Sequence, residues 1–167
     1  MEQKRPPPPP SKKRKSEPTA AARALRLLAR RDHTRLELER KLASHVEDPA
    51  ELQSLLDDFT ARGWLSEARA AEQIVRAKRG RFGAARIRQA LIEKGVPADL
   101  IATSLHALKE TEVEAARAVW TRKFSATAAN TATTAERARQ VRFLQSRGFS
   151  LDIAMRVVRG GDFDPGE

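Results

Sequence analysis

Cysteine and tyrosine are both missing from this 167-residue chain, and two tryptophans and six phenylalanines supply all its aromatic side chains. Without cysteine there is no disulfide, no thiolate nucleophile and no cysteine-based metal site, a composition that suits a reducing, cytoplasmic compartment. With so few rings, an extended platform for stacking bases is not expected. Histidine is scarce too: His33, His45 and His106 stand one per segment without ligand spacing, and His33, beside a helix cap, reads as a solvated loop residue. Neither a Gly-x-x-x-x-Gly-Lys-Ser/Thr phosphate loop nor a Gly-x-Gly-x-x-Gly turn occurs. Asp57 and Asp58 are adjacent, hence on different helix faces, and form no carboxylate pair for acid–base work. These absences argue against an enzyme, and no cofactor is expected. Apolar runs reach only a few residues, far below the roughly 18 that a membrane-spanning helix needs, so no membrane partner is expected either.

What the chain does have is positive charge. The formal net charge is +10 with a pI near 10.8, which makes a nucleic acid or nucleoprotein the leading class of partner. Residues 1–19 hold the run Pro6 to Pro10 and the cluster Lys12, Lys13, Arg14, Lys15 with almost nothing to bury, and read as a disordered basic tail that could touch DNA phosphates. Between Arg76 and Gly95 seven cations (Arg76, Lys78, Arg79, Arg81, Arg86, Arg88, Lys94) face the single acid Glu93. A solvated helix normally mixes both signs, so this segment is expected to meet a polyanion. The preceding stretch is the opposite: from Glu47 to Glu72 seven acids face only Arg62 and Arg69, which predicts an acidic outer surface on the third helix and a basic one at the junction of repeats one and two.

From Ala20 onward the pattern is helical throughout. Thr34 with Glu37, Asp48 with Glu51, and Thr133 with Glu136 have capping-box spacing, Pro49 suits a first helical position, and Ser66 can cap the helix after it. Gly63, Gly95 and Gly148 each follow a basic residue and precede an apolar one, a helix-ending pattern that makes Trp64 and Phe149 core staples. Nine helices are predicted over 20–31, 34–45, 49–62, 66–79, 84–94, 97–108, 110–124, 134–147 and 150–159. They fall into threes. The first of each triplet repeats Ala-x-x-apolar-apolar-x-x-basic at Ala24 to Arg31, Ala71 to Lys78 and Ala116 to Lys123, and Leu42, Leu91 and Leu144 recur in the second. The expectation is an all-α protein of three tandem three-helix repeats over 20–65, 66–109 and 110–159, an elongated, curved array in which each repeat completes its neighbour's core, with a flexible end at 160–167. Residues 125–133 read as a flexible link.

The segments DHTRLEL (Asp32 to Leu38), RGWLSE (Arg62 to Glu67), GAARIRQALIEKGV (Gly83 to Val96) and RFLQSRGF (Arg142 to Phe149), in this order on three-helix repeats, resemble the RecX family of bacterial regulators over about Ala20 to Arg159. The resemblance implies a non-enzymatic modulator that binds the RecA recombinase filament on single-stranded DNA and inhibits or tunes its ATPase, strand-exchange and coprotease activities, acting as a monomer with weak direct DNA binding. The alternative is a stand-alone basic helical protein that binds DNA or RNA without any recombinase.

Partner-binding candidates are Arg76, Arg79, Arg81, Arg86, Arg88, Lys94 and Arg147. Arg31, Lys78 and Lys123 end apolar stripes in last turns, where a cation favours the helix C-terminus, and read equally well as structural. Phe82 is expected to anchor its turn rather than to stack on a base. On α-helical spacing Ala84, Ile87 and Leu91 form the packing stripe of their helix, with Arg86, Gln89 and Glu93 opposite.

Overall fold

Short-range signals set most boundaries in the computed structural model, which describes residues 18–124 and 133–160. Thr34 and Thr133 each close a full capping box with Glu37 and Glu136. Ser66 caps through Arg69 N, and Asp48 caps through Ala50 N without a returning bond from Glu51, a single cap where a box was expected. Gly63, Gly95 and Gly148 stop their helices at φ 70, 73 and 89°, a region that disfavours any side chain. The described residues form nine α-helices: α1 (Ala20–Leu28), α2 (Arg35–Leu42, continued by a 3-10 turn over Ala43–His45), α3 (Pro49–Ala61), α4 (Glu67–Lys78), α5 (Ala84–Glu93), α6 (Ala98–Leu108), α7 (Glu112–Phe124), α8 (Thr134–Ser146) and α9 (Leu151–Val158). None is long and apolar enough to cross a membrane. Lys12, Lys13, Arg14 and Lys15 lie outside the described residues, as do 125–132 of the link expected over 125–133 and 161–167 of the end expected over 160–167, while Thr133 caps α8.

The helices pack in threes, and each triplet encloses its own core. Ala24, Leu38, Leu42, Leu52, Leu56, Phe59 and Leu65 form the first; Ala71, Ile87, Leu91, Val96, Ile101 and Leu108 the second; Ala116, Val119, Leu144, Phe149, Ala154 and Val157 the third. The shared core expected from the repeat pattern is therefore not what joins the repeats, because the recurring apolar positions are used up inside each one. Trp64 also differs from expectation. It is 43% exposed, since the turn at Gly63 directs the next residue, Leu65, inward instead. Trp64 keeps an edge contact with Phe59 (centroids 5.3 Å apart) and lies under the Arg62 guanidinium. Phe149 is buried as expected, and Phe82 packs half-buried against the second core. Leu91 is fully enclosed while Gln89 is exposed. Leu91→Ala should therefore cost about 2–5 kcal/mol in urea unfolding, whereas Gln89→Ala should change stability little; equal losses would contradict the facing of α5.

Polar joints connect the repeats, and both follow one plan: the start of a repeat's second helix seats on the glycine that ends the second helix of the next repeat. At joint 1, Thr34 Oγ1 donates to the Lys94 carbonyl (2.6 Å), Arg35 N donates to Glu67 Oε1 (2.6 Å), and Gly95 lies so close to Leu36 that a Cβ there would overlap it. At joint 2, Gly83 N donates to the Arg147 carbonyl (3.0 Å), Ala85 N to the Gly148 carbonyl (3.2 Å) and Ala84 N to Glu112 Oε1 (2.8 Å). Helix α5 has no side-chain cap of its own, so its first N–H groups are satisfied across the joint by the next repeat. A Cβ at Gly83 would overlap the Gly148 carbonyl, and one at Gly148 would meet Arg86 N at 2.6 Å.

Candidate nucleic-acid interface

Joint 1 neutralises its charges. Glu37 accepts from Arg31 Nη1 and Nη2 (3.1 and 3.0 Å), from Lys94 Nζ (2.5 Å) and from the Thr34 amide (3.3 Å). Burial alone would push the Glu37 carboxyl up, but these donors outweigh it and hold the pKa down at about 2, against an ordinary 4.5. Arg69 pairs with Asp32 across the same joint (2.9 Å). His33 is buried here rather than solvated, next to Thr34, which bonds the end of α5; its Nδ1 stands 3.6 Å from Glu37 Oε2 without a hydrogen bond. Burial, reinforced by the Arg31 charge, pushes the imidazole pKa down. Both shifts have one sign. A folded pKa held below the unfolded value contributes stability above the unfolded pKa and loses it as pH falls. Stability should thus begin to drop below pH 6.5 through His33, and again from pH 4.5 toward 2 through Glu37. The second step should amount to at most about 3 kcal/mol, and urea unfolding of Glu37→Gln across this range should lack it.

Lys94, one of the candidates for partner binding, is thus engaged within the chain. At the junction of repeats one and two, where a basic surface was expected, Glu37 and Asp32 neutralise Arg31, Lys94 and Arg69. A further group of cations without ion pairs among the described residues lies at joint 2. Lys78 Nζ, Arg86 Cζ and Arg147 Cζ lie 5.4, 6.0 and 5.8 Å from the centroid of the Phe82 ring, and Arg147 also lies 5.2 Å from that of Phe143. Arg86, expected on the free face of α5, is exposed but donates from Nε to the Ser146 carbonyl (3.3 Å). Beside the ring opens a cleft of about 200 Å³ lined by Arg81, Val119, Arg122, Lys123, Phe143 and Arg147. No carboxylate lines it, and none of its cations forms an ion pair with a described residue. Cation–π contacts of about 0.5–1 kcal/mol each offset part of the mutual repulsion, and an anion would relieve the rest.

The structure thus brings Arg81, Arg86 and Arg147 together and leaves other candidates apart. Arg79 and Arg88 are exposed but do not line the cleft. Arg76 lines a separate hollow of mixed charge with Arg30, Arg31, Asp32, Arg69 and Glu72. Sequence reasoning missed Arg122 and left Lys123 undecided. It also missed a groove of about 320 Å³ on repeat 1, where Arg23, Arg26, Arg30, Lys41 and His45 surround Leu27 and Leu42. Repeat register was the available signal: Arg30 and Arg122 each stand three residues after the stripe positions Leu27 and Val119.

Comparison with known proteins matches three family domains in order: the first three-helix domain of RecX over residues 20–57, the second over 66–105 and the third over 110–158. The regulatory protein RecX of Leptothrix cholodnii is 51% identical over 142 residues, covering 85% of this chain and 88% of that protein. That of Ralstonia nicotianae is 42% identical over 141 residues, covering 84% and 87%. The crystal structure of RecX from Lactobacillus salivarius shares the fold, with a TM-score of 0.73 at 22% identity over 86% of this chain and 94% of that one.

Proposed function

This chain belongs to the RecX family of regulatory proteins, and from that premise we propose that it regulates the RecA recombinase by binding the filament that RecA forms on single-stranded DNA. The observation that carries this reading is the carboxylate-free cleft at joint 2, where Arg81, Arg122, Lys123 and Arg147 meet. A surface with one sign of charge and apolar walls suits a phosphate backbone, and the resemblance supplies the filament. Binding would cross-brace neighbouring filament subunits through DNA and protein together. That opposes the subunit motions that hydrolysis and strand exchange require, so the protein acts by occupancy rather than by chemistry. The acidic face of α3, where Asp57 pairs with Arg35 and Asp58 with Arg62, lies in repeat 1 and is not part of this surface.

The test is recombinase ATPase on single-stranded DNA, titrated with this protein at concentrations where its binding to bare DNA is weak. Inhibition in that range is expected. Full occupancy of bare DNA with unchanged ATPase would favour a stand-alone nucleic-acid binder instead.

A further inference from the structure

The two joints share a plan but not a charge pattern. Counted back from Leu42 and Leu91, Phe82 occupies the register position of His33, and Arg86 that of Glu37. Lys78 ends its apolar stripe as Arg31 does, and Arg147 precedes its glycine as Lys94 does. At joint 1 the result is a carboxylate held between a cation of its own repeat and a cation of the next. At joint 2 the same three positions are all cationic, and they surround one ring within 6.0 Å of its centroid. The seat is kept: the carbonyl before the glycine accepts from the helix start at both joints, from Thr34 Oγ1 at Lys94 and from Gly83 N at Arg147, and the following amide, of Arg35 or Ala84, donates to Glu67 or Glu112. The geometry is thus retained while the bridging anion is supplied by no side chain of the chain's described residues.

We infer that a phosphodiester group of single-stranded nucleic acid takes at joint 2 the part that Glu37 plays at joint 1, bridging Lys78 and Arg86 of repeat 2 to Arg147 of repeat 3, so that nucleic-acid binding and the closing of this joint are one equilibrium. This deepens the proposed function and rests on its reading of the cleft as the nucleic-acid face. A phosphodiester offers oxygens spaced for the forked donors of Arg86 and Arg147, as a carboxylate also does, and what favours it over the side chain of an acidic protein is repetition. The cleft beyond the ring continues through Arg81, Arg122 and Lys123 with no carboxylate, a row of like charge that matches a backbone of regularly repeated phosphates rather than one acidic side chain. Without the ligand the three cations repel one another across the joint. With it the repulsion becomes attraction, and whatever binds the closed joint stabilises it.

Arg86→Glu is the discriminating change, because it installs the joint 1 arrangement at joint 2. The full-length variant should melt about 2–4 °C higher than the parent without ligand. Its affinity for a fifteen-nucleotide oligo-dT, read by fluorescence anisotropy, should fall at least about tenfold, since one phosphate goes unneutralised and a repelling charge is added. The rise in melting temperature that oligo-dT gives the parent should disappear. Arg86→Gln should weaken binding and flatten the log-log salt slope by about 0.7 without raising the melting temperature. An Arg86→Glu protein that melts lower than the parent, fails to fold or keeps its oligo-dT shift would overturn the inference. So would poly-glutamate raising the parent's melting temperature as much as oligo-dT does at equal charge. No recombinase enters these measurements: their failure leaves filament binding through another face intact, and a failed ATPase test leaves this phosphate site intact.

Discussion

Gly83→Ala is expected to part repeat 2 from repeat 3 while leaving every repeat core in place. Gly83 has φ −81°, which alanine adopts without strain, so the added methyl acts only through what it meets, the Gly148 carbonyl of the next repeat. That group is backbone and cannot swing aside. Relief requires the two repeats to move apart, with loss of the bonds from Gly83 N and Ala85 N to the Arg147 and Gly148 carbonyls. The overpacking should cost about 1–3 kcal/mol, and thermal unfolding should split into two transitions as repeat 3 loses its coupling to the rest. Oligo-dT affinity should fall in parallel although no cation has been removed. Gly80→Ala is the control, because a Cβ there meets nothing within 4 Å and its backbone lies outside the left-handed region. It should be neutral or slightly stabilising. A single cooperative transition in Gly83→Ala at the parent's temperature would mean that the joint is not a structural coupling.

The second large effect concerns charge alone. Changing Arg81, Arg122 and Lys123 together to glutamate inverts three cations that form no hydrogen bond or ion pair through their side chains with described residues. Circular dichroism should stay native, and the melting temperature should fall by only a few degrees, because Arg122 and Lys123 stand in the last turn of α7, where glutamate opposes the helix dipole. Inhibition of recombinase ATPase should require at least about a hundredfold more protein, and the log-log salt slope of oligo-dT binding should flatten by about 0.7 for each phosphate that the variant no longer neutralises. The same triple change placed on Arg79, Arg88 and Arg76, which stand away from the cleft, should cost far less. Comparable losses from both triples would show that overall charge, not this cleft, governs binding.

What could be read from the sequence was local. The capping boxes at Thr34 and Thr133 and the stops at Gly63, Gly95 and Gly148 depend on residues within one turn of each other, so spacing alone exposes them. Repeats were legible for the same reason, since each carries a full set of core positions. The joints were not. Glu37 and Lys94 lie 57 positions apart, and Arg86 and Ser146 lie 60 apart; nothing in either neighbourhood announces the other. That is why His33 was expected in solvent and why Lys94 was counted among the free cations. Charge density was visible along the chain, but neutralisation is a tertiary property. Lys94 and Arg86 look alike in sequence, and only Glu37 separates their roles. Trp64 shows a smaller version of the same limit, because whether the first or the second residue after a terminal glycine turns inward depends on the turn that follows.

Joint 2 is proposed as the place where this protein meets the nucleic acid of a recombinase filament, and hydrogen exchange measured on the protein bound to a preformed RecA–single-stranded DNA filament reads that contact residue by residue. Slowed exchange is predicted across residues 78–88 and 143–149, the two sides of joint 2, with a weaker version of the same pattern on bare oligo-dT and little change at joint 1, whose charges are already matched within the chain. Protection confined to residues 47–72, or spread over the chain without enrichment at joint 2, would rule out joint 2 as the contact.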